Sequence, residues 1–118
     1  MTLSAWRPAF APVPLKAAIP TILVPDTIKA YGDLAAARRE RMGMTVIGIT
    51  GSVGKTTTKE MTACMLERTY RTARTEGNHN NNIGLPMTIL DMPDDTETAV
   101  LELGMNHAGE IDYLSALV

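Results

Sequence analysis

Residues 44–61 read MTVIGITGSVGKTTTKEM, and they join an apolar run to a helix-forming segment through a glycine turn. The run Thr45 to Thr50 is nearly continuous in apolar side chains, as in a strand buried on both faces. From about Lys55 to Glu67 the residues suit a helix, with Met61, Cys64 and Met65 on one side. Gly51 and Gly54 lie between. Strand, glycine turn and helix in that order predict a phosphate-binding loop. Glycine permits the tight turn and lets backbone N–H groups approach oxygen atoms that side chains would keep away.

Each loop position has its own expected task. The backbone of Gly51, Ser52, Val53, Gly54, Lys55, Thr56 and Thr57 would cradle the phosphates, because the first N–H groups of a helix point at an anion placed on its axis. Lys55 would reach the β- and γ-phosphates and act as the catalytic cation, and the Thr56 hydroxyl would ligate Mg²⁺. The general pattern G-x-x-x-x-G-K-[ST] asks for glycine five residues before Gly54. Ile49 stands there instead, and Gly48 precedes it.

Outward from the loop, strands and helices alternate. Five of the seven prolines fall within the first 25 residues, so residues 1–20 are expected as an extended arm or linker. Its Trp6 and Phe10 could pack on the domain or on another chain. Residues 21–118 form the predicted domain. It opens with a short β-branched run, Thr21 to Val24, after which Asp26 offers an N-cap and Ile28, Tyr31, Leu34 and Ala35 recur at helical spacing. Gly43 supplies the stop, and Arg38, Arg39 and Arg41 are placed to favour the negative end of that helix's dipole. A strand is predicted around Arg71 to Thr75, then a polar loop, EGNHNNNIG. A helix near Pro86 carries Met87, Ile89 and Leu90, a turn follows at Pro93 to Asp95, and a strand covers Ala99 to Leu103. A last helix begins near Ala108 and runs to Val118. Alternating strands and helices imply an α/β fold with a mostly parallel sheet flanked by helices.

Composition sets bounds on function. The 118 residues carry a formal charge of −2, with 45% apolar and 20% charged residues. A broad nucleic-acid surface would need clustered excess Lys and Arg, so no nucleic-acid partner is expected. The apolar run Ala17 to Val24 is too short to span a bilayer and contains Pro20, so no membrane partner is expected either. The lone Cys64 excludes an internal disulfide and suits a reducing cytoplasm. It is read as a small buried residue on its helix.

Three stretches together carry a family resemblance. The loop T50-G-S-V-G-K-T-T57 is similar to the ATP loop of the Mur ligases, the ATP-dependent amide-forming enzymes of peptidoglycan precursor synthesis. T75-E-G-N-H-N-N-N-I-G-L-P86 resembles that family's T-x-G-N-x-N-N-x-I-G-x-P segment. E102-L-G-M-N-H-A-G-E-I111 resembles its E-[LM]-G-x-N-H-x-G-E-I segment, and the order is the family's. With KEM at 59–61, the set is most similar to the members that join D-alanyl-D-alanine to a UDP-N-acetylmuramoyl-tripeptide. The resemblance covers about residues 22–118 and implies a phosphate-loop NTPase-like central domain that is incomplete here.

The resemblance also implies roles. ATP and Mg²⁺ would be the cofactors, and the UDP-muramoyl-peptide and D-alanyl-D-alanine the substrates. Thr56 and Glu102 would ligate the metal, although Glu102 also reads as a solvated strand-end carboxylate. Asn78, Asn81, Asn106 and His107 would face the substrate. An Asn-rich loop equally forms a plain turn, His107 equally fits a structural imidazole, and His79 reads as solvent-facing. Full ligases of this family are three-domain proteins several times longer. The chain is therefore expected to supply only the phosphate and magnesium corner of an active site, or to act as a non-catalytic nucleotide-binding module. An open sheet in either case calls for a second copy or a companion chain.

Overall fold

The computed structural model describes residues 9–12 and 20–118; Trp6 and most of the proline-rich arm lie outside them. Two short strands, β1 (Ala9–Ala11) and β2 (Thr21–Leu23), pair in parallel as a separate small sheet. Helix α1 (Thr27–Met42) starts where the Asp26 carboxylate accepts the N–H groups of Ile28 and Lys29, and ends at Gly43. The main sheet holds β3 (Thr45–Ile49), β4 (Thr72–Arg74) and β5 (Thr98–Glu102) in the order β3-β5-β4, all parallel. Helix α2 (Lys55–Leu66) links β3 to β4, α3 (Gly84–Asp91) links β4 to β5, and α4 (Glu110–Ser115) follows β5.

The last strand in sequence takes the central place, and all five β5 residues are buried. Side chains alternate across a strand, so β5 feeds two faces. Ala99, Leu101 and the following Leu103 join Ala35 of α1, Leu85 and Ile89 of α3, and Leu114 of α4 in the hydrophobic core. Val100 and Glu102 turn to the opposite face, where α2 packs on β5. The result is three layers, with the sheet between α2 on one side and the α1, α3 and α4 core on the other.

Several expectations are corrected. Strand β3 is not buried on both faces: Thr45 and Gly48 are exposed and its other residues half-buried, because β3 lies at a sheet edge among the described residues. Helix α2 is turned the other way from its apolar pattern. Met61 and Met65 are 64% and 69% exposed, Cys64 is exposed, and the inward residues are Lys59 and Ala63. Thr56, Lys59 and Ala63 follow i, i+3, i+7 spacing, so they share one face of the helix, and the hydrogen bond of Thr56 to Glu102 at the end of β5 turns that face inward. Helix α4 ends at Ser115 rather than running to Val118.

The arginines at the end of α1 also do more than expected. The Arg38 guanidinium donates to the carbonyls of Ile89 (3.3 Å) and Met92 (2.6 Å) at the end of α3, and pairs with Asp94. Arg39 donates to the Leu117 carbonyl beyond α4 at 3.3 Å. Helix ends leave carbonyls without intrahelical donors, and these two side chains satisfy them on neighbouring elements.

The orientation of α2 has a stability signature. Ala63→Leu overfills the space between α2 and the sheet and should cost about 1–3 kcal/mol, whereas Met61→Ala should change stability by less than about 0.5 kcal/mol. Urea denaturation of the two variants measures both, and the reverse order would mean that the methionine side is the packed one.

Candidate functional site

Strand β3 runs out at Ile49, and Thr50 to Gly54 turn the chain into α2. Gly51 (φ 148°) and Gly54 (φ 82°) adopt backbone conformations that side chains disfavour. Gly48, by contrast, belongs to β3: a Cβ there would come within 3.3 Å of the Leu103 side chain. The turn is therefore built on Gly51 and Gly54, which explains how it tolerates Ile49 where the general pattern has glycine. No side chain caps α2, so the first N–H groups of the helix open toward the turn. Val53, at its tip, is 93% exposed. The Lys55 ammonium donates to the Gly51 carbonyl at 2.7 Å, which folds the lysine back over the turn.

At the end of β5 the structure brings together residues distant in sequence. Glu102 is only 4% exposed, and its carboxylate is held from several sides. The Thr56 hydroxyl donates to Oε2 at 3.2 Å, and the Asn80 amide donates to Oε1 at 3.1 Å. The Lys59 ammonium lies 3.8 Å from Oε2. The Glu102 backbone N–H donates to the Thr75 hydroxyl at 2.9 Å, and Lys59 donates to the Thr75 carbonyl at 2.7 Å. Burying a charge is costly unless hydrogen bonds and counter-charge replace water, and here both do. Glu102 is accordingly no solvated strand-end carboxylate.

The polar loop before α3 is drawn close by two glycines. A Cβ on Gly84 would sit 2.5 Å from the His79 Cα, and one on Gly104 would sit 2.7 Å from the Asn80 amide group. The Gly104 N–H donates to the Asn80 carbonyl at 2.8 Å. These contacts put Asn80, rather than Asn78, against Glu102. Asn78 and His79 remain exposed. Asn81 serves the start of α3, its side-chain oxygen accepting the N–H groups of Ile83 (3.1 Å) and Gly84 (2.8 Å).

Lys55, Asn80, Asn81, Gly104, Asn106 and Glu110 line part of one cleft of about 530 Å³. Asn78 and His107 are outside its lining. Asn106 and His107 are both exposed, and their backbone N–H groups donate to the Glu110 carboxylate at 2.5 and 2.9 Å. Lys59 and Asn80 escaped the reading of the sequence. A lysine within a helix gives no sign of burial, and Asn80 stands among three consecutive asparagines of identical chemistry.

The parallel sheet, the glycine turn opening α2 and the acidic end of the neighbouring strand define a phosphate-loop α/β domain. The family description "Mur ligase middle domain" matches residues 49–118. The chain belongs to the Mur ligase family. It is 56% identical over 96 residues to the UDP-N-acetylmuramoyl-tripeptide--D-alanyl-D-alanine ligase of Bacillus subtilis, covering 81% of this chain and 21% of that protein. The Escherichia coli ligase of the same name is 46% identical over 104 residues, covering 88% of this chain and 23% of that one. Among solved structures, the corresponding ligase of Acinetobacter baumannii superposes with a TM-score of 0.88 at 48% identity over 93% of this chain and 25% of that one. The ligase of Thermotoga maritima in complex with ADP gives 0.84 at 32% identity over 92% and 26%. The chain thus spans about a fifth of the length of the curated relatives it matches. No helix among the described residues is long and apolar enough to cross a membrane.

The segment after β5 has a pH signature. The His107 and then the Asn106 N–H groups hold the Glu110 carboxyl below the ordinary glutamate range. A carboxylate depressed in the folded state contributes order that is present above its unfolded pKa and lost as pH falls through the folded one. The amide resonances of Asn106 and His107 should therefore keep their hydrogen-bonded shifts down to a pH below the usual glutamate titration, then move together. In Glu110→Gln that step should be missing, and a midpoint at or above the usual value would contradict the arrangement.

Proposed function

We propose that this chain carries the phosphate- and magnesium-binding corner of a Mur-type ligase that joins D-alanyl-D-alanine to a UDP-N-acetylmuramoyl-tripeptide. In that reaction ATP phosphorylates the tripeptide carboxylate, and the amine of D-alanyl-D-alanine displaces phosphate from the acyl phosphate to form the amide. The identities to ligases of that name support the substrates, and the ADP complex of a relative supports the nucleotide. The observation that carries the reading is the hydrogen bond between Thr56, in the first turn of an uncapped helix, and the buried Glu102. A cytoplasmic location goes with it.

The donor set suits Mg²⁺. Neighbouring oxygens around an octahedral Mg²⁺, with bonds of about 2.0–2.1 Å, lie about 2.9 Å apart, close to the 3.2 Å between Thr56 Oγ1 and Glu102 Oε2. One carboxylate and one hydroxyl leave most positions to water and phosphate oxygens, the arrangement Mg²⁺ favours. Thr56 and Glu102 would hold the ion, which when bound would neutralise charge on the β- and γ-phosphates. The N–H groups of Gly51 to Thr57 would orient the phosphates. Lys55 would exchange the Gly51 carbonyl for the β- and γ-phosphates, stabilising charge as an anionic carboxylate approaches a polyanion. Asn81 and Asn106, in the same cleft as Lys55, would meet the acceptor. Asn78 and His107 would contribute only after the loops move.

Isothermal titration of the chain with ADP in Mg²⁺ should give measurable but weak binding, since groups outside this fifth of the ligase complete the nucleotide site. Lys55→Ala should weaken it at least about tenfold, as expected for loss of a charge-assisted bond. No phosphate release is expected from the chain with ATP, UDP-muramoyl-tripeptide and D-alanyl-D-alanine. Equal binding by the native chain and Lys55→Ala would remove the phosphate loop from the reading.

A further inference from the structure

Lys59 is 1% exposed, and the loop chemistry above makes no use of it. Seating an ammonium there is costly unless its donors are engaged. Here the ammonium donates to Thr75 O at 2.7 Å and is charge-paired with Glu60 Oε1 at 3.2 Å and Glu102 Oε2 at 3.8 Å. Thr75 is used twice, because its hydroxyl also accepts the Glu102 N–H. Lys59, Thr75 and Glu102 therefore close a ring of polar contacts between α2, the end of β4 and the end of β5. Thr56 lies three residues before Lys59 on the same helix face, so the ring sets how far the Thr56 hydroxyl stands from the Glu102 carboxylate.

We infer that Lys59 is a positioning residue which fixes Glu102 Oε2 toward Thr56 and thereby forms the magnesium corner. The inference rests on the reading of Thr56 and Glu102 as the Mg²⁺ ligands. It concerns a side chain that touches neither nucleotide nor metal, and it makes a prediction opposite in sign to simple electrostatics. An ammonium near a divalent cation repels it, so if repulsion alone mattered, removing Lys59 would tighten Mg²⁺ binding. If positioning dominates, removal loosens Mg²⁺, as does loss of the partners that orient metal ligands elsewhere, typically by about 10–100-fold.

The test is calorimetric titration of the 118-residue chain with ADP over a series of Mg²⁺ concentrations and in EDTA. Lys59→Met keeps an unbranched side chain one atom shorter and removes its charge. It should raise the Mg²⁺ concentration for half-maximal effect about tenfold or more, with the loss of ADP affinity confined to the Mg²⁺-containing solutions. Glu60→Gln alters an exposed partner that Lys59 shares with Arg74, whose guanidinium lies 2.8 Å from Glu60 Oε2, leaves the core untouched and should move the Mg²⁺ midpoint the same way by a smaller factor. Tighter or unchanged Mg²⁺ dependence in Lys59→Met overturns the inference, and so does an equal loss with and without Mg²⁺. Should Lys59→Met lose its circular-dichroism signature of folding, an unchanged midpoint in Glu60→Gln overturns it instead. A native chain that takes no ADP at all removes the phosphate-loop reading and this inference together. Mg²⁺-dependent ADP binding that Lys59→Met leaves unaltered removes the inference alone.

Discussion

A carboxylate carried into the interior on the central strand needs partners for both oxygens, and in this chain the search for partners organises everything around it. Glu102 draws a hydroxyl and an ammonium from α2, an amide from the loop before α3, and a backbone hydrogen bond to Thr75 at the end of β4. The partners come from three different parts of the fold, so the charge holds the upper ends of the sheet, the helix and the loop in one arrangement. The apolar core on the opposite face supplies the bulk of the driving force. What the carboxylate adds is placement, because hydrogen bonds are directional and burial is not.

Features specified by local chemistry were legible in the sequence. The turn at Gly51 and Gly54, the N-cap at Asp26, the stop at Gly43 and the order of strands and helices depend on neighbours along the chain, and the structure agrees with them. Of the site residues, Thr56 and Glu102 do come together, because a helix that starts at the glycine turn runs beside the next strand of a parallel sheet. Features set by distant contacts were hidden. The methionines of α2 promised a buried stripe, yet Lys59 occupies the inner face. The reason is the anchoring of the first turn at Thr56, which fixes the rotation of every residue after it. Asn80 could not be separated from Asn78 and Asn81 by composition, and only the close approach allowed by Gly104 singles it out. Arg38 and Arg39 fit an ordinary charged helix end, and their partners lie 51 to 78 residues away in sequence.

Membership of the Mur ligase family gives these details a setting. The stretch matched by that family description, residues 49–118, includes a glycine turn of the kind in which backbone geometry, more than side-chain variety, can meet an anion. Such a unit is built from few residues because peptide N–H groups are available at every position, and the sequence has only to bend the chain so that they converge. Asparagines and glycines make up half of the lining of the cleft beside it, and the charged side chains there are Lys55 and Glu110.

The pairing of Ile49 with Glu102 and of Val46 with Ala99 makes the meeting of Thr56 and Glu102 depend on sheet register. A slip of one residue between β3 and β5 would turn Glu102 toward the opposite layer and set a carboxylate among the leucines of the core. Mispaired chains would thus lose the site and strain the interior in a single step. A ligand that needed Thr56 and Glu102 together would bind only molecules whose strands have aligned, and would shift the folding equilibrium toward them.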